Sequence, residues 1–521
     1  MPRVTSWPHL KAIPIFNTVS SEPNYKMPGD NRYLSVDLGA SGGTLYTGKV
    51  TADAIDVTEV YRFEVAPQQG EDRYVWDVKR LVDEIAIGIE RCESKYGVID
   101  SIGIDTWGTD FGFLKDGELL RLPYSYRDPK LTSTREDLLE TVGKRRIFEA
   151  TGICHWEMAT SLYHLHYLAT EDPAAVERAD RLLMMPQLLS TLLGGDAVGE
   201  ATVASTTQMM DPASRDWARD LLAEAGVPTD ILPEMTEPGE TIGTLDAEYA
   251  ASHGDPPDLV LPASHDTASA VSALPLSDEN RIFLSTGTMF LPGIELDRPN
   301  RSEAAFEIAA SNELGLDGSI RFIKNMNGFF LLEESRKAWR SQGEDVAYDR
   351  LLAAARKTKP DGPLVDPDHP AFGLEDEMPA TICEYCRESG QVVPTGVGEI
   401  TRCIVESLVV KAALSIDQLV AATDDASEQI HLGGGGVRND LLCQLLADAT
   451  NREVVAGPAE ATAIGNLLSQ ALGRGDIPNI EVGRELIEAS FDLQTYGPRS
   501  SRSYEAAKDR MEGLLSESPQ L

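Results

Sequence analysis

A single carboxylate stands where an apolar strand gives way to small residues, in the segment 264–271 that reads Ser-His-Asp-Thr-Ala-Ser-Ala-Val. A hydroxyl group is a weak nucleophile near neutral pH, and a carboxylate within hydrogen-bond reach can take its proton during attack. Asp266 is therefore a candidate general base. An aspartate at such a junction can equally cap a helix or a turn, and this segment alone leaves both interpretations open.

Glycine-rich turns offer sites for phosphate groups at residues 39–43, 286–288 and 433–436. An acidic chain must bind a phosphate chain locally, through backbone NH groups at tight turns, helix N-termini or a metal ion. Taken singly, each turn is more often a plain connection that needs positive φ at glycine. Neither the GxxxxGK[ST] pattern of a P-loop nor a GxGxxG turn after a strand occurs, which excludes those two kinds of nucleotide site.

Asp37 lies two residues before the first glycine of these turns. Mg²⁺ prefers oxygen ligands and retains several water molecules. A carboxylate beside a phosphate turn can therefore orient Mg²⁺ directly or through water, and the alternative role for Asp37 is to cap a hairpin. Together with Asp266, the three turns favour phosphate chemistry over plain connections.

Strands and helices alternate around these residues, which predicts an α/β fold. Apolar strands from Tyr33 and from Thr44 to Val50 enclose the first turn and predict a hairpin. A similar strand and turn recur at residues 281–288, about half the chain later. This repeat indicates two related domains with a ligand cleft between them. Further predicted elements are a helix over 78–92, a strand over 99–104, helices over 326–342 and 398–422, and a helix from Asn439.

The amino-acid composition makes some classes of binding partner unfavourable. The 46 basic and 84 acidic residues give a net charge of -38, so nucleic acid and anionic membranes are repelled at long range. The chain has no apolar run long enough to span a bilayer and no secretion signal in its first residues. These features predict a cytoplasmic protein.

The acidic residues are scattered along the chain without forming a tail, which favours adaptation to a salty cytosol over an ordinary acidic surface. Molar salt shortens the Debye length to ~3 Å, and this screens the self-repulsion that opposes compact folding. We expect the melting temperature to rise with KCl concentration in a thermal scan. A melting temperature independent of KCl contradicts the adaptation.

Six cysteines in 521 residues are too few for a disulfide scaffold. Cys383 and Cys386 form one CxxC pair, but neither a second pair nor a nearby histidine pair completes four zinc ligands. The sequence therefore predicts free thiols and no zinc site.

Longer segments carry a resemblance to a known family. The most specific are residues 264–271 and residues 103–111, Gly-Ile-Asp-Thr-Trp-Gly-Thr-Asp-Phe, and residues 433–436 with 456–466 add a third. From about Tyr33 to Leu472 the chain resembles the FGGY carbohydrate kinases, and among them the rhamnulokinases. The resemblance implies the actin-like ATPase fold, in which two ribonuclease H-like domains bind ATP and sugar in the cleft between them.

With this resemblance we divide the chain into a flexible N-terminal extension (1–30), an N-terminal domain on the sugar and phosphate side (31–272), a C-terminal domain on the nucleotide side (273–490) and a C-terminal tail or helix (491–521).

The resemblance also implies the roles of individual residues. The sugar site is expected at Gly108, His265, Asp266, Thr267 and Asn325, with Asp266 as the base. ATP is expected at Ala40, Ser41, Gly42, Gly43, Thr44, Thr288, Glu333 and Gly435, and Mg²⁺ at Asp37.

Three further residues have two roles left open. Asp105 and Asp110 are either additional sugar acceptors or supports for the loop that carries Trp107. Trp76 either stacks on a sugar face or lies in the core.

The implied reaction transfers the γ-phosphoryl group of ATP to the 1-hydroxyl of L-rhamnulose. The alternatives are another ketose, such as L-fuculose or L-xylulose, and a sugar-sensing protein with vestigial catalysis. The sequence departs from the family at three positions, since Thr44, Met289 and Glu333 stand where the family usually has Arg, Trp and Gln. Of these, Thr44 and Glu333 support the sensing alternative.

The resemblance further implies a disulfide between Cys386 and Cys403, which a reducing cytosol disfavours.

Overall fold

The computed structural model describes residues 31–70, 73–156, 158–250, 255–344, 346–373, 377–499 and 504–517. The extension assigned to residues 1–30 lies outside these ranges.

The N-terminal half contains strands β1 (Tyr33–Gly39), β2 (Gly42–Val50), β3 (Ile55–Glu64), β4 (Gln68–Gln69), β5 (Tyr74–Val75), β6 (Ser101–Thr106), β7 (Phe111–Lys115), β8 (Glu118–Leu119), β9 (Arg181–Met184), β10 (Gly199–Glu200), β11 (Met210–Asp211), β12 (Asp216–Trp217), β13 (Met235–Thr236), β14 (Thr241–Thr244) and β15 (Asp258–Val260). Its helices are α1 (Val78–Tyr96), α2 (Arg135–Thr141), α3 (Lys144–Thr151), α4 (Ser161–Glu171), α5 (Pro173–Arg178), α6 (Met185–Leu192), α7 (Ala201–Ala204), α8 (Arg219–Glu224) and α9 (Asp266–Ser272).

The C-terminal half contains strands β16 (Ile282–Thr286), β17 (Met289–Leu296), β18 (Ser311–Leu314), β19 (Ile320–Ile323), β20 (Met326–Asn327), β21 (Gln429–Gly434), β22 (Glu453–Ala456) and β23 (Gln494–Tyr496). Its helices are α10 (Glu303–Glu307), α11 (Phe330–Ser341), α12 (Tyr348–Ala355), α13 (Met378–Glu388), α14 (Gly396–Thr423), α15 (Asp440–Thr450), α16 (Ala461–Gly473), α17 (Ile480–Ser490) and α18 (Glu505–Glu517).

Each half is organised around one mixed sheet. The N-terminal sheet has the strand order β14-β15-β6-β1-β2-β3, and the C-terminal sheet has the order β18-β19-β17-β16-β21-β22-β23 with β20 beside β17. In the first sheet β1, β2 and β3 are successively antiparallel, while β6 and β15 continue parallel from β1. The set β16, β17, β19, β21 and β22 repeats this arrangement. The predicted α/β class and the predicted repeat are therefore both confirmed.

Local sequence explains where α1 begins and ends. The Asp77 carboxylate accepts a hydrogen bond from the backbone NH of Arg80 at 3.1 Å, which caps the first turn. Buried residues such as Leu81 and Ile85 recur at helical spacing and pack on the sheet. The helix continues four residues past the predicted end at Cys92 and stops before Gly97, whose φ is 86°.

Two predicted elements are shifted by tertiary pairing. The strand expected over 99–104 begins at Ser101, because the register with β1 places Ser101 opposite Tyr33. The helix expected over 326–342 begins only at Phe330, because Met326 and Asn327 pair with β17 as a short strand. Propensity within the segment did not reveal either partner.

The two halves meet where α9 packs against α16. A Cβ atom on Gly465 would lie only 1.8 Å from the carbonyl oxygen of Ser269, so this approach of the two helices requires glycine. From the next residue of α16, the Asn466 amide donates to the carbonyl oxygen of Gly103 in β6 at 3.1 Å. Helix α16 of the C-terminal half thereby contacts the central strands of the N-terminal sheet.

The C-terminal segment 491–521 is integrated into the second half over its described part. Strand β23 pairs with β22, and Lys508 of α18 forms an ion pair with Asp417 of α14 at 2.6 Å. Across the described ranges, no helix has both the length and the apolarity needed to cross a bilayer.

Candidate functional site

The first phosphate turn is the tip of the β1–β2 hairpin. Ala40 and Ser41 form the turn, and Gly42 and Gly43 begin β2. A Cβ atom on Gly43 would lie 2.5 Å from the ring of Phe63, so a glycine is required for β2 to pack against that ring. The structure therefore brings residues 40–43 together at the tip of one hairpin, where Ser41 is exposed.

A row of polar side chains crosses the N-terminal sheet beside this turn. Strand registers place Arg62 opposite Thr44, Thr44 opposite Asp37, and Asp37 opposite Asp105. Residues directly opposite one another project from the same face of a sheet, so the four side chains share one face. Position 44, where the family usually has an arginine, thus lies directly opposite an arginine of the next strand, Arg62.

The pKa values of Asp37 and Asp105 on this face are raised by burial and by neighbouring carboxylates, including that of Asp266 in α9. Burial, and then the charge of Asp266, raises the pKa of Asp37 to about 7, while Arg62 lowers it. Burial, and then the charge of Asp37, raises the pKa of the fully buried Asp105 well above its ordinary value. Asn466 donates to Oδ2 of Asp105 at 2.5 Å, whereas Oδ1 of Asp105 has no hydrogen-bond partner.

These carboxylates have the chemistry of a magnesium site without a closed ligand set. The free Oδ1 of Asp105 and the adjacent Asp37 supply the oxygen donors that Mg²⁺ prefers. In the described part of the chain, no three His, Cys, Asp or Glu residues are grouped closely enough to hold a metal by themselves. The residues therefore fit an ion that keeps water and phosphate oxygens as its other ligands.

Asp266 is the first residue of α9, and buried groups hold the segment before it. Thr106 of β6 pairs with His265 in a parallel bridge, and its NH donates to the carbonyl oxygen of Ser264 at 3.0 Å. The fully buried Glu200 accepts from the backbone NH of Ser264 at 3.2 Å. Sequence reasoning did not identify Glu200, because its partner lies 64 residues away.

The Asp266 side chain is 29% exposed and has an altered acidity. Burial raises its pKa to about 6, and the hydrogen bond from the Thr267 hydroxyl at 3.0 Å lowers it in part. A carboxylate with this pKa is mostly ionised at neutral pH and is a stronger base than an ordinary aspartate. The helix-cap alternative does not describe the position, because His265 is the N-cap residue of α9.

His265 connects this carboxylate to a buried ion pair. Arg321 forms an ion pair with Glu313 at 2.9 Å, and both side chains are at most 2% exposed. The same Nη2 atom of Arg321 lies 3.1 Å from Nδ1 of His265. Burial, and then Arg321, holds the pKa of His265 well below its usual value, so the ring is neutral. Nδ1 accepts from Arg321, which leaves the proton on Nε2, 3.4 Å from Oδ1 of Asp266.

The predicted sugar residues lie around this network. A Cβ atom on Gly108 would lie 3.6 Å from Nε2 of His265, so the two are in contact distance. Asn325 donates from Nδ2 to Nε2 of His155 at 2.5 Å, and that imidazole lies 3.8 Å from Glu313. Burial lowers the pKa of His155 to about 4, which keeps this imidazole neutral. Within the described part of the chain, the Asn325 side chain forms this hydrogen bond through Nδ2, and its amide oxygen can accept a hydrogen bond from a hydroxyl.

His155, Glu313 and Arg321 are the site residues that the sequence did not reveal. Glu313 and Arg321 are directly opposite on β18 and β19. The available signal was a charged residue inside each of two short strands, Ser-Asn-Glu-Leu and Ile-Arg-Phe-Ile. A charge in a buried strand usually has a partner, but the sequence does not show which one.

Trp107 belongs to the loop between β6 and β7 (residues 107–110, the sugar loop), and Trp76 packs against it from the segment before α1. The two rings are inclined at 42° with centroids 4.4 Å apart, and both indole NH groups donate to Oδ2 of Asp110, at 2.6 and 2.9 Å. Trp76 is 1% exposed, so it lies in the core and does not stack on a sugar face. Asp110 thus fixes the loop that carries Trp107 and Gly108.

The second and third glycine turns are joined by Thr286. Its hydroxyl donates to the carbonyl oxygen of Gly433 at 2.5 Å and accepts from the backbone NH of Gly436 at 2.9 Å. Thr288 follows at the β16–β17 turn. A Cβ atom on Gly435 would meet no other atom within 4 Å, so the space beside this residue is open. The structure therefore places Thr288 and Gly435 on neighbouring turns of the C-terminal sheet.

Glu333 lies in the first turn of α11, and its charge is balanced locally. Nη1 of Arg336 donates to both carboxylate oxygens of Glu333, at 2.7 and 2.8 Å. The negative charge expected near the nucleotide is thereby offset one helical turn away.

The six cysteines are free thiols. Cys386 and Cys403 are hydrogen-bonded neighbours. This bond lowers the pKa of the Cys386 thiol against the opposing effect of burial, whereas the same bond and then burial raise the pKa of the Cys403 thiol. The implied disulfide is not formed in this structure.

Two family models match this chain, one in each of its two halves. Residues 32–272 match the N-terminal domain of the FGGY family of carbohydrate kinases, and residues 282–473 match its C-terminal domain. A "Rhamnulokinase" from Bacteroides thetaiotaomicron is 37% identical over 477 residues, which is 91% of this chain and 97% of the relative. A "Rhamnulokinase" from Bacillus subtilis is 33% identical over 469 residues, 90% of this chain and 95% of the relative.

Solved structures agree on the fold. Xylulose kinase from Lactobacillus acidophilus superposes with a TM-score of 0.74 at 15% identity, covering 94% of this chain and 97% of that one. Plasmodium falciparum glycerol kinase with ADP superposes with a TM-score of 0.71 at 14% identity, covering 94% and 98%. These likenesses confirm the expected actin-like ATPase fold.

Proposed function

Because this chain belongs to the FGGY family of carbohydrate kinases, we propose that it transfers the γ-phosphoryl group of ATP to the 1-hydroxyl of L-rhamnulose, with Asp266 as the general base. The chain is a phosphotransferase that acts on a sugar, and its family implies ATP as the second substrate. The choice of L-rhamnulose rests on the curated relatives, which are at least one-third identical along nearly their whole length. The choice of base rests on the partly buried position of Asp266 at the start of α9 and on its raised pKa.

In the proposed mechanism, Asp266 accepts the proton of the 1-hydroxyl as this oxygen attacks the γ-phosphorus. The proton on Nε2 of His265 faces Oδ1 of Asp266 and holds the carboxylate in place. Asn325, positioned by His155, binds a sugar hydroxyl. Gly108 lets the sugar approach without a side chain in the way.

The phosphates are bound by the turns on both sides of the cleft. Backbone NH groups of Ala40, Ser41, Gly42 and Gly43, with the Thr44 hydroxyl, hold the phosphate chain from the N-terminal half. Thr288 binds it from the C-terminal half, and Gly435 and Glu333 flank the adenosine. Asp37 would hold Mg²⁺, which when bound neutralises charge on the phosphate oxygens.

The sugar specificity is tested by measuring ADP release with a panel of ketoses in buffered KCl. L-Rhamnulose should give the highest kcat/KM. A higher value for L-fuculose or L-xylulose would reassign the substrate, and the absence of sugar-dependent ADP release with every ketose would favour the sensing role.

The acidity of Asp266 predicts the pH dependence. Only the ionised carboxylate accepts a proton, so kcat/KM should rise with pH, pass a midpoint near the pKa of about 6, and then level off. Removing the Thr267 hydroxyl in T267V should move this midpoint upward, because that hydrogen bond lowers the pKa of Asp266. A pH–rate profile of both proteins checks this. A midpoint near 3.8, the ordinary value, would contradict it.

A further inference from the structure

Arg127 lies against the tip of the first phosphate turn. Its Nη2 donates to the carbonyl oxygen of Ala40 at 3.1 Å, and its Nε donates to the hydroxyl of Tyr126 at 3.4 Å. The side chain is exposed. The turn itself, residues 39–44, contains no basic residue. The positive charge beside it comes from Arg127, which is 87 positions beyond Ala40 in the chain.

The surroundings of Arg127 locate it between the turn and the sugar site. Burial raises the pKa of Tyr126, Arg127 lowers it, and Asp110 and Asp266 raise it. Burial raises the pKa of Asp110 to about 7, and the two indole hydrogen bonds, the backbone hydrogen bond from Tyr126 and then the charge of Arg127 lower it in part. One loop therefore lies within electrostatic range of the phosphate turn, of the sugar loop and of the proposed base.

Among the described residues, no carboxylate lies within ion-pair distance of the Arg127 guanidinium. It forms no ion pair with any residue in the described ranges, although the chain carries a net charge of -38. Arg62, the other arginine near the turn, donates through Nε and Nη2 to both oxygens of Glu59, at 3.3 and 2.8 Å. Arg127 is thus the arginine whose charge is available to an anion.

We propose that Arg127 binds the terminal phosphate of ATP and supplies the cation that the turn lacks. This inference rests on the proposed function, because it requires the nucleotide to lie along residues 40–44. A guanidinium matches two phosphate oxygens at once. In phosphoryl transfer such a contact stabilises charge on the oxygens of the moving group. The hydrogen bond to Ala40 holds Arg127 beside the turn before ATP arrives.

The test compares nucleotides with and without the terminal phosphate. Wild type, R127Q and R127K are titrated by calorimetry with Mg²⁺ plus either ADP or the non-hydrolysable β,γ-imido analogue of ATP. Losing one charge-assisted contact should weaken binding of the analogue by R127Q by about 10-fold or more, with R127K intermediate. Affinity for ADP should stay within about twofold of wild type.

The control variant is R91Q, on the exposed face of α1. Arg91 stacks over Tyr61 with 4.1 Å between the guanidinium carbon and the ring centroid. Tyr61 and Arg62 are consecutive in β3 and point to opposite faces, so R91Q removes an equal charge away from the turn. Its affinities for both nucleotides should equal those of wild type.

Other outcomes overturn the inference. Equal weakening of ADP and the analogue by R127Q would mean that Arg127 only supports the turn through Ala40, and unchanged affinities would remove it from the site. If wild type binds neither nucleotide, both the inference and the proposed function fail. If wild type binds both but no ketose stimulates ADP release, the proposed function fails while the R127Q comparison still decides the role of Arg127.

Discussion

We expect Asp266→Asn to lower kcat by at least about 10²-fold, because the variant keeps the shape of the side chain but cannot accept the proton that the proposed base takes. The structure adds an expectation about stability. Burial makes ionisation of Asp266 unfavourable in the folded protein, because it raises the pKa from 3.8 to about 6. An acid whose pKa is raised on folding destabilises the native state as pH increases through that interval. At neutral pH, Asp266→Asn should therefore leave the melting temperature unchanged or raise it.

Steady-state kinetics and a thermal scan of the same preparation test both expectations. D297N is the matched control, because Asp297 is 84% exposed and follows β17 at the end opposite to Thr288. Low activity with undiminished stability is typical of a residue kept for function. Retained turnover would remove Asp266 from the role of base, and a large fall in melting temperature would assign it to the folding of α9.

The second large effect is expected at Arg321. Its side chain is fully buried, and it contacts Glu313, His265 and the carbonyl oxygen of Leu314 at 2.9 to 3.1 Å. Arg321→Leu leaves the Glu313 carboxylate buried without its cation. Breaking a buried ion pair from one side typically costs about 3–5 kcal/mol in the free energy of unfolding. The variant should also lose activity, because His265 loses the donor that fixes its ring.

Urea denaturation followed by circular dichroism measures the loss of stability. R146L is the control, since Arg146 and Glu224 form a pair at 2.8 Å whose side chains are 36% and 49% exposed. Such an exposed pair contributes about 0–1 kcal/mol. The double variant R321L/E313L should recover part of the stability lost by R321L, because no unpaired charge remains. Equal stability of R321L and R146L would refute the assigned role of the buried pair.

At the proposed nucleotide site, the sequence departs from the family pattern at Thr44 and Glu333. Thr44 is buried and directly opposite Arg62, and Arg127 touches the turn from another loop. Glu333 is paired with Arg336. The missing arginine at position 44 thus has a positive charge nearby in Arg127, and the added charge of Glu333 is balanced by Arg336. These departures therefore give less support to a sensing role than they did on the sequence alone.

The sequence alone was sufficient for the parts of this protein that depend on local chemistry. Alternating strands and helices predicted the α/β class, and the glycine-rich segments predicted the hairpin of β1 and β2. The repeated strand and turn predicted two related halves, which the matching sheet orders confirm. Backbone conformation and amphipathic periodicity act over a few residues, so they can be read from a linear pattern.

Only the tertiary structure decided which charged groups face one another. Asp37 and Asp105 become neighbours through the pairing of β1 with β6, and Arg321 reaches His265 across 56 positions. The raised pKa of Asp266 likewise comes from burial by distant segments. Electrostatic energy depends on distance and solvent exposure, and neither quantity is encoded in the spacing of residues along a chain.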